Sequence, residues 1–499
     1  MKKITMMVAS AVCIAAQAKI DMGTPFTDGV VLQRDRAVPV WGSATAGKTV
    51  TVEFAGKSVS ATAGEDGKWK VELPSMPASK ENRIMRVNEV DNGNTVDSVE
   101  IKNVLVGEVW FCSGQSNTDC PIWGGAPRYR DGWGAMMLLS TTKPFVRLVK
   151  NPHMASLDPK FDYKADWMEM TPAMYDRFKK GKRMPSAMGY YFALELANAL
   201  DIPIGIIDSS WGGTNIDAWT PVSGYEKVPS LKDILEMERY DAAKFKVAQE
   251  EGKFKNVYGR KAWFQQRSAL WNGMVAAYAP MACRGFIWYQ GCHNSGEPQR
   301  YADKMHALYN GWSKEFANPD LKLYFVQLAP FTHNWIGIVA AQNKFAEEEK
   351  NAGLVVASDV GNFADIHPND KRTIGKRLSL LALKRDYGFE KIKADAPTFK
   401  SVTFAEGKAE ISFNNVESLY IYDPSRSTKA AFEIAGADDK WYAATIENVL
   451  KDGPVKGKTI ILSAKEVPEP VKVRYMHKKR TMGTVYNEAC LPLGPFEGK

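Results

Sequence analysis

Three kinds of hydrophobic pattern follow one another along the chain. From about residue 19 to 105, short runs alternate apolar and polar positions, as in Val38-Pro39-Val40-Trp41, Thr49-Val50-Thr51-Val52-Glu53-Phe54 and Lys68-Trp69-Lys70-Val71-Glu72-Leu73. Alternation puts every second side chain on one face, and the Gly, Asp and Asn residues between the runs supply turns, so this part predicts a small antiparallel β-sandwich. From Val106 to about Gly388 the pattern changes to apolar strand-like runs separated by stretches with helical spacing, such as Met188 to Leu200 and Tyr301 to Phe316, the latter ahead of the strand Leu321 to Gln327. That alternation predicts an α/β domain over residues 106–393. Glu and Lys crowd the segment from Pro229 to Trp263, which reads as an inserted helical hairpin. After about Ala394 strands return, as in Ala409 to Phe413, Thr459 to Leu462 and Val471 to Tyr475, and predict a C-terminal β domain over 394–499.

The first residues follow a different rule. Lys2-Lys3, an apolar stretch from Ile4 to Ala15 too short to span a bilayer, and the small-x-small sequence Ala16-Gln17-Ala18 together read as a cleaved export signal over residues 1–18. The mature chain then begins at Lys19 and is expected in the periplasm or outside the cell. Five cysteines remain in it, Cys112, Cys120, Cys283, Cys292 and Cys490, and an odd count argues against a disulfide scaffold. No later segment has the length and hydropathy of a membrane span.

Composition narrows the function classes. At 499 residues and 45% hydrophobic content, the chain can build two or three domains with substantial cores. The formal charge of +8 is mild over such a length. The aromatics near the basic clusters Arg177 to Arg183 and His477 to Arg480 do not form a base-stacking pattern, so the clusters read as solvated loops rather than a nucleic-acid site. Neither paired Cys or His spacing of zinc type nor a glycine-rich phosphate loop is found, and the expected chemistry uses no metal and no cofactor.

Candidate chemistry begins where the run Val104 to Cys112 ends in Gly114-Gln115-Ser116-Asn117. A serine just past a strand is placed as a nucleophile, but a weak one, and needs a base and oxyanion donors. His367, one of only six histidines, sits in Asp365-Ile366-His367-Pro368 and supplies base and orienting carboxylate in the order Ser, Asp, His. Asp359, six residues before Asp365, could orient the imidazole instead. Two further blocks follow strand-like runs: Trp211-Gly212-Gly213-Thr214-Asn215 after Ile202 to Ile207, and Gln290-Gly291-Cys292-His293-Asn294 after Arg284 to Tyr289. Glycines and amides past strand ends are what an open α/β sheet uses to hold a ligand.

Four such blocks in this order resemble the SGNH hydrolases, and more closely the sialate O-acetylesterase branch of the carbohydrate esterases. The likeness runs from Gly29 to Arg34 near the start to Tyr486 to Pro492 near the end. It implies a three-layer α/β/α catalytic domain with a parallel sheet, flanked by the two β domains, and an acetylesterase acting on an acetylated sugar or glycan. It further implies Ser116 as nucleophile, His367 as base, and an oxyanion hole from the backbone N–H groups of Ser116 and of Gly212 or Gly213, with the amide of Gln290. Gln115, Asn117, Asn294 and Trp211 fall in the same blocks as oxyanion or substrate-binding residues, and Trp219 and Trp288 are further candidates for the pocket wall, with a core position the alternative for Trp288.

One position departs from that pattern. The third block of such enzymes usually reads Trp-Tyr-Gln-Gly-Glu, and this chain has Cys292 in place of the glutamate. Two other readings therefore stand beside the esterase: a degenerate, non-hydrolytic glycan-binding relative, and a thiol hydrolase using Cys292 or Cys112. Against the last, neighbours in an extended segment point to opposite sides, so Cys292 and His293 would not converge. Sialic acid, xylan and pectin all remain open as carriers of the acetyl group.

Overall fold

The computed structural model describes residues 19–122, 145–171, 176, 180–251, 262–422, 431–450 and 453–499. The leader and Arg177 to Lys179 of the first basic cluster lie outside them.

At the centre is a mixed α/β body built on a strand of unusual length, β1 (Asn94–Gly114). Its first half is exposed or half-buried except at Ile101, with alternation from Val96 to Lys102, and from Val104 onward all residues are buried. A strand with one wet face reads polar-apolar, whereas one covered on both faces reads continuously apolar, so the sequence change at this point marks a change of surroundings. The first half pairs antiparallel with Ser79–Asp91, which pairs with Thr49–Phe54. The second half is flanked by parallel strands β3 (Ile204–Ser210) and β4 (Gly285–Tyr289). With β2 (Val146–Lys150), β5 (Lys322–Val326) and β6 (Ala352–Val355), the parallel order is β2-β3-β1-β4-β5-β6. A short antiparallel strand, Met168–Glu169, closes the β2 edge.

Consecutive side chains of β1 meet different helices. Trp110 packs edge-on against Phe192 of α2 (Ala187–Leu200) at 5.1 Å, while Phe111 meets Trp312 of α3 (Pro298–Glu315) at 5.7 Å. The helix α5 (Lys371–Asp386) lies along α2, where Gly375 allows its backbone to approach Tyr191 and Phe192. The core is continuous from Ile20 to Ala394 and takes in both the N-terminal strands and the parallel sheet. The N-terminal part adds a second sheet, Asp21–Met22, Val38–Ser43 and Lys68–Leu73, whose last strand alternates exposed and buried in step with its sequence. Residues from Ala409 to Leu493 have a core of their own, between sheets such as Thr398–Ala405 with Lys408–Asn414 and Phe432–Ala435 with Lys472–Tyr475. In the charged segment, the described elements are a single turn, Pro229–Leu231, a short helix, Lys232–Glu236, and a longer one, Ala242–Glu250; residues 252–261 of the expected hairpin lie outside the described residues.

Candidate active site

The order of the parallel strands decides where the site forms. β1 lies between β3 and β4, and in the register Gly114 is level with both Ser210 and Tyr289. The serine, Trp-Gly-Gly and Gln-Gly blocks therefore leave three adjacent strands at one height, at the point where the chain switches from one side of β1 to the other. Gly114 makes the turn possible: its φ is +135°, and a Cβ there would run into the carbonyl oxygen of Tyr289. Gln115 N–H then donates to that carbonyl at 3.1 Å, as does Thr118 Oγ1, and Ser116 opens the single helical turn Ser116–Asp119.

The histidine block meets the serine block through Asn117. Its Nδ2 donates to the carbonyl of Ile366 at 3.2 Å, so the residue after Ser116 is bonded to the residue before His367. His367 Nδ1 lies 2.9 Å from Asp365 Oδ1, and the same oxygen accepts His367 N–H at 3.0 Å. A carboxylate accepts from Nδ1–H, which leaves Nε2 unprotonated as a base. Asp359 is taken elsewhere, since Arg377 donates to both its oxygens at 2.7 Å. Of the two carboxylates open from the sequence, Asp365 is thus the one on the imidazole. His367 and Asp365 are about four-fifths buried, with side-chain exposures of 20% and 22%.

Opposite Ser116 stands the glycine turn after β3. A Cβ on Gly212 would approach Ser116 Cβ to 3.3 Å, which measures how closely the two turns face each other. The Gly212 N–H is given to Asp119 Oδ2 at 3.2 Å, and Gly213 follows it with a φ of +72°. Trp211 is sandwiched between His153 (4.3 Å) and Phe264 (4.6 Å), so both ring faces are covered and only its edge is available to a substrate. Trp219 and Trp288 are fully buried and pack on each other at 6.5 Å, which puts them in the core and not on a pocket wall.

The third block departs from expectation. Gln290 is completely buried, its Nε2 donates to Thr214 O at 3.0 Å and Asn294 Oδ1 at 2.8 Å, and its Oε1 accepts from Tyr301 OH at 2.7 Å. Both amide hydrogens are committed, so an oxyanion role for Gln290 does not fit this bonding. Asn294 is equally engaged: Oδ1 also accepts Ile216 N–H at 3.0 Å, and Nδ2 donates to Glu297 Oε1 at 2.7 Å. Behind them Lys304 joins Asp217 at 2.9 Å and Glu297, all three buried. These residues tie the block after β3 to the block after β4, and removing one partner from a buried charge group costs about 3–5 kcal/mol. Gln115 does the same for the serine turn, its Oε1 accepting Gly291 N–H at 3.2 Å and His293 N–H at 3.3 Å.

A second charge cluster, not foreseen from the sequence, underlies the serine turn. Asp119, three residues past Ser116, accepts from Lys150 Nζ at 2.6 Å and from Arg183 at 2.7 and 3.0 Å. Lys150 also pairs with Asp208 at 3.0 Å. Burial works against a charge on Asp119, but Lys150, His153 and Arg183 outweigh it and hold the carboxyl far below the ordinary range. Burial pushes the Asp208 carboxyl up. The one sequence signal for the cluster was an acid within a turn of the serine.

Cys292 lies beside this machinery but is poorly suited to attack. Burial pushes its thiol up to about 12, and burial likewise raises the thiol of Cys112, which is fully buried. None of the five cysteines from Cys112 to Cys490 is in a disulfide, and Cys490 is exposed. Alkylation at neutral pH is therefore expected to label Cys490 and leave ester hydrolysis unchanged, read by mass spectrometry beside initial rates. Complete loss of activity in Cys292→Ser with Ser116→Ala still active would instead establish a thiol mechanism. Among the described residues, no group of His, Cys, Asp and Glu is arranged to hold a metal ion, and no helix is long and apolar enough to cross a membrane.

Comparison with known proteins points the same way as the site. Residues 256–384, which include the third block and the histidine block, match the family described as carbohydrate esterase, sialic acid-specific acetylesterase. The sialate O-acetylesterase of Rattus norvegicus is 24% identical over 522 residues, covering 94% of this chain and 92% of its own. That of Homo sapiens is 25% identical over 467 residues, covering 84% and 81%. The solved structure of a carbohydrate acetylesterase from Xanthomonas citri superposes with a TM-score of 0.79 at 29% identity, over 96% of this chain and 99% of that one. By these likenesses the chain is similar, over nearly its whole length, to the sialate O-acetylesterases among the carbohydrate esterases.

Proposed function

We propose that this chain is a serine esterase that removes O-acetyl groups from sialic acid or a related acetylated glycan through an acyl-enzyme. The observation that carries the reading is the Asp365–His367 pair, bonded through Asn117 to the turn that begins with Ser116. His367 Nε2 takes the proton of Ser116 as its oxygen attacks the acetyl carbonyl, while Asp365 holds the tautomer and offsets the charge of the imidazolium. The tetrahedral oxyanion is met by the N–H groups of Ser116 and Gly213, one such donor lowering the barrier by about 3 kcal/mol. The protonated imidazole then gives its proton to the leaving sugar hydroxyl, and a water activated by the same base releases acetate.

The reading extends to architecture and location. Helix contacts from consecutive residues of β1 support an SGNH-type three-layer arrangement, α2 and α5 on one face and α3 on the other. Within it we assign residues 19–105 to an N-terminal β domain, 106–393 to the catalytic domain and 394–499 to a C-terminal β domain. Residues 1–18 are assigned as an export signal, which directs the enzyme to the periplasm or the exterior.

Cys292, where related enzymes carry glutamate, favours one competing reading, a glycan-binding relative without hydrolysis. A panel of O-acetylated sialic acids, acetylated xylan and acetylated pectin separates them. The expected result is acetate release, fastest from a sialic acid. Release fastest from a plant polysaccharide would move the substrate class, and binding without release from any member would establish the binding module.

A further inference from the structure

Lys371 is the first residue of α5, where the positive end of the helix dipole disfavours a cation, and the residue is buried, with 4% exposure. Burial and dipole both oppose an ammonium here, yet the helix is capped without it, since Asp370 accepts the N–H of Thr373 at 2.9 Å. What Lys371 does make are two bonds, from Nζ to Asn117 Oδ1 at 2.6 Å and to the carbonyl of Pro368 at 2.7 Å. Its ammonium also lies 5.7 Å from the ring centre of Tyr289, the last residue of β4. One atom thus reaches the residue after Ser116, the residue after His367 and the strand end that carries the third block.

We infer that Lys371 is a positioning residue for the esterase reaction, an ammonium strap that holds the serine turn and the histidine turn in register. This rests on the proposed serine mechanism. Asn117 Nδ2 reaches the histidine loop directly, but only through one neutral bond to Ile366. Lys371 fixes the other end of the same amide and grips the loop on the far side of His367. Bonds from an ionised donor are roughly twice as strong as neutral ones, so the strap is the firmer half of the clamp. A near-attack geometry depends on such fixation, and a misplacement of about 1 Å costs on the order of 100-fold in rate.

The groups facing Nζ are the Asp365 and Asp370 carboxyls, the Cys120 and Cys292 thiols and the Tyr289 ring. Burial outweighs them and lowers the lysine to about 8. The strap is then fully charged below that pH and neutral above it. Stability moves the other way: between about 8 and the ordinary lysine value of 10.5 the unfolded chain holds a proton that the folded one has lost, so this group makes folding more favourable as pH rises. A fall in turnover above pH 8 without a fall in melting temperature is the signature that a merely structural lysine would not produce.

Lys371→Met keeps the length of the side chain and removes the ammonium. Expected are a fall in kcat of about 10- to 100-fold toward an aryl acetate with KM little changed, and loss of the alkaline limb from the pH profile. Lys371→Gln, which keeps two donors without charge, is expected to recover part of kcat, again without the alkaline limb, and carries the test should the methionine variant not fold. Amide exchange over residues 365–370, a readout that needs no activity, is expected to quicken in either variant. An unchanged kcat, pH profile and exchange rate would overturn the strap. Faster exchange in a protein whose natural form releases no acetate would leave the strap standing and remove the esterase reading instead.

Discussion

Ser116→Ala is expected to leave a folded protein whose acetate release is slower by about 10⁴- to 10⁶-fold. The fold should survive because the turn is held by its neighbours: Gln115 bonds the backbone of Gly291 and His293, Asn117 bonds Ile366 and Lys371, and Thr118 bonds the carbonyl of Tyr289. Alanine also suits the first position of a helical turn as well as serine does. What is lost is the only atom that can form the acyl bond in this mechanism, so the remaining activity should be that of donors and binding alone, about 10³- to 10⁴-fold above water. Initial rates on an aryl acetate, with thermal melts of both proteins, check this. Turnover within tenfold of the natural chain, with an unchanged melt, would remove Ser116 as nucleophile.

The second large effect belongs to the pair behind it. Activity should rise with pH as the imidazole of His367 gives up its proton, and His367→Asn should abolish both that rise and nearly all the rate. Asp365→Asn is expected to cost about 10⁴ in kcat, because an amide in place of the carboxylate no longer holds the Nδ1–H tautomer or balances the imidazolium. Adding Ser116→Ala to His367→Asn should cost little more than either alone, since residues that act as one unit are not additive. Asp359→Asn provides the contrast. That carboxylate is spent on Arg377 through two bonds of 2.7 Å, so its loss should lower the melting temperature while leaving the pH profile in place. A pH profile altered by Asp359→Asn and not by Asp365→Asn would reverse the assignment.

The parts of this site that were legible in the sequence are those whose chemistry is local. A glycine, a polar turn and a serine at the end of an apolar run announce a strand-end nucleophile, and an acid two positions before a histidine can reach Nδ1 within one turn, as Asp365 does. Bonding partners supplied from elsewhere were not legible. Gln290 and Asn294 read as donors facing a ligand, yet their amides are satisfied by Thr214, Ile216, Glu297 and Tyr301, which no spacing reveals. Lys150 and Lys371 carry no signal in the sequence that marks them as buried. They are buried because oxygens brought by other elements await them, the Asp119 and Asp208 carboxylates for Lys150 and the Asn117 amide for Lys371. The stacking of Trp211 on His153 and Phe264 was hidden for a related reason, since both rings come from distant parts of the chain. The alternation of residues 68–73 carried through to an alternating strand, because a sheet with one face in water needs nothing beyond itself to fix which side chains turn inward.

One feature of the fold bears on how such an enzyme can be divided. The change of hydrophobic pattern near residue 106 falls inside β1, which runs unbroken from Asn94 to Gly114 and ends two residues before Ser116. The N-terminal strands and the turn that carries Ser116 therefore share one piece of backbone and one continuous core, whereas the last hundred residues keep a core to themselves. Gene fusions and deletions that treat both β regions as interchangeable accessories would meet opposite fates. Grafting or exchanging the C-terminal region leaves every strand of the parallel sheet whole, while cutting at the N-terminal border exposes a raw strand end in the middle of the catalytic sheet. Evolution can shuffle the one as a module, but it must carry the other along with the serine.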